Sequence, residues 1–273
     1  MKALEYSTHL DLPDERVAVC GDWHGNVHWV RTLARALSTL APEITTILQL
    51  GDWWMNPRDQ DAAFKDSSID TVLVTLGNHE PWNLVTPLLD THPGSSVRVS
   101  AMTWLLSRPA YLTIGGRRVL SLGGASSVDK AWRKPGASWW PDEDITDAQA
   151  KAALVGAANY EPADLMLTHE TPDLTPVKAV RAVLRENPLA FPDDALAGSA
   201  NSRHRVGKVW AINHPELLIH GHMHVPGGGQ TDDGRRVASM GRDGQQGSLG
   251  FLDMRTLRME TPSLRQIREA AEA

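Results

Sequence analysis

The chain has 273 residues, 41% hydrophobic and 22% charged, with a formal charge of -6 and a pI of about 6.0. This is an ordinary globular composition, and it excludes the basic field that a duplex nucleic-acid binder carries. No apolar run approaches the ~18 residues of a membrane helix, so with one cysteine and no signal-peptide profile at the start, a soluble, cytoplasmic protein is expected.

Short runs rich in β-branched and aliphatic residues each end in glycine or a polar cluster. In chain order they are RVAVCGD (16–22), TTILQLGD (45–52), TVLVTLGNHE (71–80), RRVLSLGG (117–124), ADLMLTHE (163–170) and ELLIHGHMH (216–224). Near-continuous apolar runs of this length suit strands covered on both faces, with Cys20 a buried strand thiol. Helical periodicity falls between them, at VHWVRTLARALSTL (27–40), TDAQAKAALVGAA (146–158), TPVKAVRAVLRE (175–186) and VGKVWAIN (206–213). Such alternation predicts a layered α/β core. The tail turns to β-like pieces, RRVASMG and GSLGFLDM, and then to the amphipathic LRQIREAAEA.

No internal repeat, low-complexity tract or long linker divides the chain, so a single domain over residues 1–273 is expected. Two stretches break the rhythm: the Trp-rich loop at 125–144 (ASSVDKAWRKPGASWWPDED) and the Pro/Gly/Ser/Asp-rich 187–205. Long irregular segments in a compact domain are usually functional or disordered, and the Trp residues argue that the first is ordered.

Polar residues of the same kinds recur where the strands stop: Gly21-Asp22-Trp23-His24-Gly25, Gly51-Asp52, Gly77-Asn78-His79-Glu80, Thr168-His169-Glu170 and Gly221-His222-Met223-His224. Loops at the carboxyl ends of strands in an α/β sheet converge on one crevice. Singly, each motif is a turn, a cap or a structural histidine; five in one chain demand more. Carboxylates and imidazoles without a thiolate suit borderline divalent metals such as manganese, iron, zinc or nickel. In HGHMH, alternate positions on one strand would point to one side, making either a crowded surface or a joint ligand set.

Trp23, Trp53, Trp54 and Trp82 adjoin these motifs, and Trp132, Trp139 and Trp140 lie in the 125–144 loop. A ring over a site stacks on a nucleobase at about 1–3 kcal/mol per base; the alternative is packing of the loops on the core. Lys130, Arg133 and Lys134, with Arg203, His204 and Arg205, are either a second phosphate or ribose contact or a solvated face. Gly123-Gly124-Ala125-Ser126 lacks the P-loop lysine and reads as a strand-end turn.

The ordered set GDWHG, GD, GNHE, a lone His and GHMH, spanning residues 21 to 224, resembles the calcineurin-like metallophosphoesterases. The resemblance implies a four-layer αββα sandwich, two mixed β-sheets flanked by helices, and hydrolysis of phosphate esters with two divalent metal ions, manganese first and iron, zinc or nickel as alternatives. Carried over by position, Asp22, His24 and His224 would hold one ion, Asn78, His169 and His222 the other, and Asp52 would bridge them. His222 and His224 would then serve different ions, both aimed inward by the turn after Gly221. A metal-bridging hydroxide would attack phosphorus, and His79 would protonate the leaving alkoxide. Two such ions against two ligand carboxylates leave the centre at about +2, enough to attract phosphate to an acidic protein. His220 matches no ligand role and is expected to be structural or to support a ligand.

The related Ser/Thr protein phosphatases read Gly-Asp-x-x-Asp-Arg after the second strand; here the segment is GDWWMNPRD, with Met55 in place of the Asp that orients the histidine. Asp59, Glu80 or no residue would then orient His79, and Arg58 is the displaced candidate for the phosphate-binding arginine. The departure weakens a protein phosphatase reading and favours the broader phosphodiesterase and phosphatase branch. With the Trp placement, a phosphodiesterase acting on a small nucleotide or cyclic nucleotide is expected. The alternatives are a phosphomonoesterase or protein phosphatase, a DNA or RNA nuclease, and a non-catalytic scaffold, which would be expected to have lost ligands or His79.

Overall fold

In the strand Arg16–Cys20 (β3) of the computed structural model, Val17 and Val19 face one way and Ala18 and Cys20 the other, all fully buried. A strand alternates its side chains across the sheet, so burial on both sides places β3 between two apolar layers. The structure describes residues 1–160 and 162–273. Its strands are β1 (Glu5–Ser7), β2 (Leu10–Leu12), β3 (Arg16–Cys20), β4 (Thr46–Gln49), β5 (Thr71–Val74), β6 (Ser96–Arg98), β7 (Thr103–Leu105), β8 (Ala110–Ile114), β9 (Arg117–Leu122), β10 (Leu165–Thr168), β11 (Leu217–His220), β12 (Gly227–Gln230), β13 (Arg236–Ser239), β14 (Leu249–Asp253) and β15 (Arg258–Glu260). The helices are α1 (Val27–Leu40), α2 (Pro57–Phe64), α3 (Trp82–Thr91), α4 (Asp147–Tyr160), α5 (Lys178–Glu186), α6 (Asp193–Asn213) and α7 (Leu264–Glu272).

One sheet runs β1-β6-β7-β5-β4-β3-β14-β15 and the other β12-β13-β11-β10-β9-β8-β2, each mixing parallel and antiparallel neighbours. Three cores define the layers. Val17, Val19, Leu48, Leu165, Leu167 and Ile219 pack between the sheets. Ala18, Cys20 and Ile47 turn outward to Val30, Leu33 and Leu37 of α1 and Ile267 of α7. Met166 and Leu218 face the opposite helical layer with Val206 and Val209 of α6. The expected αββα sandwich is present. Among the described residues no helix is long and apolar enough to cross a membrane.

The register keeps the strand ends level. Cys20 pairs with Gln49 and Gln49 with Val74, while Thr168 pairs with both Leu122 and His220. The loops that follow β3, β4, β5, β9, β10 and β11 therefore open on one edge of the sandwich.

Helix α1 matches its expected span, and Asn26 caps it by accepting from the Trp29 amide. Helix α5 begins later than the 175–186 pattern, at Lys178, with Val177 as its N-cap. The expectation of irregular structure over 187–205 is corrected, since α6 runs unbroken from Asp193 to Asn213. Its first half buries Ala195, Ser199 and Ser202, small or polar side chains that leave no apolar stripe to read. Helices α2 and α3 were likewise not legible. The 125–144 loop is irregular as expected, with 3-10 turns at Lys130–Trp132 and Pro141–Glu143. Arg108 anchors it, donating to the carbonyl of Asp142 at 2.8 Å while lying 4.2 Å over the Trp82 ring.

Candidate metal centre and active site

The chain turns sharply at the crevice. His24, Asp52, His222 and His224 have φ of 47°, 50°, 64° and 53°. Such left-handed backbone costs non-glycine residues about 1–3 kcal/mol each and persists only where the surroundings enforce it. It also supplies the turn expected after Gly221 in HGHMH. Strand β11 stops at His220, and a turn rather than alternation aims the later histidines. Gly221 makes the turn possible, because a Cβ there would collide with Asp22 Oδ1 and the Leu50 carbonyl.

The structure brings all the candidate ligands together. The donor atoms of Asp22, His24, Asp52 and His224 lie within 4.8 Å of one another. Asp52 faces two ways: Oδ2 is 3.5 Å from His24 Nε2 and Oδ1 is 3.2 Å from His169 Nε2. His169 Nε2 is also 2.9 Å from Asn78 Oδ1, and the His222 ring lies 4.9 Å from that of His169. His224 Nε2 approaches Asp22 Oδ2 to 2.9 Å without hydrogen-bond alignment, as two ligands converging on a common ion do.

Two imidazoles are held by their far nitrogens. His169 Nδ1 bonds the Leu50 carbonyl at 2.6 Å, and His24 Nδ1 bonds Asp243 Oδ1 at 3.0 Å. Asp243 is itself held by Asn26 Nδ2 at 2.7 Å. Engagement of Nδ1 turns Nε2 toward the carboxylates, the usual support for a metal-binding imidazole. Ser127 accepts from Asn78 Nδ2 at 2.9 Å, leaving Asn78 Oδ1 to face His169. Glu170 Oε2, fully buried, lies 3.8 Å from His222 Nε2. Asp243, Ser127 and Glu170 escaped the sequence reading as supports.

The field of the crevice favours cations. Burial opposes a proton on His24, yet the Asp243 and Asp52 contacts outweigh it and raise its pKa to about 10. His169 rises to about 10 in the same way, burial being outweighed by Asp52 and Asp22. Asp52 stays well below the usual carboxylate range, its burial overcome by His169 and His79. Carboxylates that hold protons on buried imidazoles can hold divalent ions instead, so the donor set fits a metal centre.

His79 stands at its edge. Its amide donates to Asp52 Oδ1 at 2.7 Å, and its ring lies 6.1 Å from that of His24. The expected partner was Asp59, Glu80 or none. Glu80 instead accepts from the amides of Trp53, Trp54 and Gly77 at 3.0, 2.9 and 2.9 Å, tying two site loops together. Asp59 sits exposed on α2. The carboxylate facing His79 is Asp129 of the Trp-rich loop, with Oδ2 3.8 Å from Nε2.

The remaining expectations divide. Trp23, Trp53 and Trp82 are fully buried and pack the loops on the core, whereas Trp54 is 51% and Trp132 66% exposed. Lys130 pairs with Asp194, His204 with Asp173 and Arg205 with Asp147, and Arg203 bonds Ser199, so these basic side chains are already engaged. His220 is buried, bonded through Nδ1 to the Gly221 carbonyl, and burial lowers its pKa to about 4; it takes the structural role.

Glu143 closes the loop onto the site. It accepts from the Ser127 amide at 2.7 Å and Trp139 Nε1 at 3.0 Å, with Arg133 at 3.6 Å. Burial pushes its pKa up to about 7. A carboxyl raised on folding contributes stability that is full below its unfolded value, near 4.5, and lost as pH rises through 7. Thermal melts of Glu143→Gln and the parent should therefore diverge in the variant's favour between about pH 5 and pH 8. A pH-independent difference would mean that Glu143 does not titrate in this window.

The calcineurin-like phosphoesterase family model matches residues 15–226. No curated protein matches the sequence significantly. Among solved structures, TT1561 of Thermus thermophilus aligns with a TM-score of 0.52 and 13% identity, over 92% of this chain and 99% of its own. A dimetal phosphatase from Danio rerio aligns with a TM-score of 0.55 and 14% identity, over 92% and 97%. At such identities the likeness speaks for the fold.

Proposed function

The chain belongs to the calcineurin-like phosphoesterases, metal-dependent phosphoester hydrolases with dinuclear centres, and from that premise we propose that it is a phosphodiesterase acting on small nucleotide or cyclic nucleotide esters. In this reading residues 1–273 form one domain, and a cytoplasmic setting fits the single, buried cysteine. The carrying observation is the two-sided placement of Asp52, one oxygen toward His24 and the other toward His169. Asp22, His24 and His224 would hold one divalent ion, Asn78, His169 and His222 a second, and Asp52 both. Manganese is the first choice for so oxygen- and nitrogen-rich a set. When bound, such a pair activates water and neutralises charge on the phosphoryl oxygens.

The chain's own part is positioning and proton transfer. His79 stands at the edge of the ligand set and would give its proton to the departing oxygen. Burial lowers its pKa despite the Asp52 and Asp129 charges, which makes the imidazolium a stronger acid and leaves less of it protonated at neutral pH. Asp129 would orient the imidazole. Arg133, whose charge acts on His79, is committed to Ser127 at 2.6 Å, Asp129 at 3.7 Å and Glu143 at 3.6 Å. With that guanidinium occupied, the singly charged diester suits the site better than the doubly charged monoester.

The test is hydrolysis by manganese-reconstituted protein of bis-p-nitrophenyl phosphate and cyclic nucleotides against p-nitrophenyl phosphate. Higher kcat/KM on the diesters is expected. A preference for the monoester would replace this reading with a phosphomonoesterase, and silence on all three with two metals bound would favour a scaffold.

A further inference from the structure

The loops that bring Asp52 and Asn78 to the centre continue directly into the walls of a second concavity. Residues 54–58 form one side and the start of α3, from Pro81 to Leu84, another, with Lys2 and Ser100 also lining a groove of about 840 Å³. Trp54 joins the groove to the site, its ring stacked along His79 at 6.4 Å and 28°. Unlike the three buried Trp residues beside the site, it presents its ring to solvent, as Leu84 does its side chain at 44% exposure.

The charges of the groove are unbalanced. Asp61 is taken up by the Ser100 hydroxyl at 2.8 Å and the Ala101 amide at 3.1 Å. Arg58 and Lys2 form no ion pair among the described residues. Free cations beside apolar and aromatic surface are the complement of an aromatic anion.

We propose that this groove is the leaving-group subsite and that it takes a nucleotide, its base against Trp54 and Leu84 and its own phosphate at Arg58 and Lys2. The inference rests on the phosphodiesterase reading with His79 as proton donor. Water adds its hydroxyl to phosphorus as the bond from phosphorus to the leaving oxygen breaks. The leaving oxygen takes a proton from His79, and the proton released by the water replaces it. The group expelled next to His79 emerges beside Trp54, so the groove would receive it.

Cleavage of TpT, pTpT and TpTp by the manganese-loaded enzyme, with products resolved by chromatography, tests the assignment. A terminal phosphate on the leaving nucleoside should raise kcat/KM for diester cleavage about tenfold over TpT, the scale of one charge-assisted phosphate contact. That advantage should vanish in Arg58→Ala, persist in part in Arg58→Lys, and invert in Arg58→Glu; Trp54→Ala should lower kcat/KM for all three dinucleotides. Diester cleavage indifferent to both terminal phosphates, or an advantage unchanged in Arg58→Ala, would overturn the subsite and leave the phosphodiesterase reading standing. No cleavage of TpT or of bis-p-nitrophenyl phosphate would overturn both.

Discussion

Asp52→Asn should lower turnover of bis-p-nitrophenyl phosphate by roughly 10³-fold and reduce tightly bound manganese from two ions toward one. The carboxylate reaches imidazoles in both halves of the centre, with Oδ2 3.5 Å from His24 and Oδ1 3.2 Å from His169. An amide keeps one oxygen and turns an NH2 group on the other half, so one ion loses a ligand and the bridge is gone. Metal stabilisation of transition-state charge is worth several kcal/mol, and at 1.36 kcal/mol per decade the loss comes to about three decades. Metal analysis and steady-state rates on one preparation decide it. Full turnover with two ions bound would remove Asp52 from the bridging role.

His79→Ala should produce an effect that depends on the leaving group. General acid catalysis contributes about 10²–10⁴-fold where the departing oxygen needs a proton. A cyclic nucleotide or dinucleotide expels an alkoxide and should lose the full factor. p-Nitrophenolate leaves with little help, so p-nitrophenyl esters should lose far less. Equal losses on both classes would make His79 a structural element of the Asp52 loop, since its amide also donates to Asp52 Oδ1 at 2.7 Å. Asp129→Asn should follow the same leaving-group pattern at smaller amplitude, because the carboxylate acts on the reaction through the imidazole it faces.

How much could be read in advance follows from where each feature's information lies. The strands that carry the site were legible because a short apolar run covered on both faces is a local signal, as in Val17 to Cys20 and Leu165 to Leu167. Helix α1 was legible from its apolar period. The first half of α6 was not, because it buries Ala195, Ser199 and Ser202 instead of large apolar side chains. The seven candidate ligands were visible as residue types at strand ends, and the crevice gathers all of them.

The supports were not visible, and separation along the chain is the reason. Asp243 bonds His24 across 219 residues, and Ser127 bonds Asn78 across 49. Neither motif announces its partner. Asp129 faces His79 only because Arg108 anchors the Trp-rich loop and Glu143 ties it to Ser127. The burial of Trp23, Trp53 and Trp82 beside the exposure of Trp54 is likewise a packing outcome that residue type does not encode. By itself the sequence determined the α/β layering, the family resemblance and the candidate ligand set, because periodicity and strand-end chemistry are written over a few neighbouring residues. Tertiary structure alone decided the partner of His79, the supports of the imidazoles and the groove beside Trp54, because each is made by loops that only the level register of the two sheets brings to one edge.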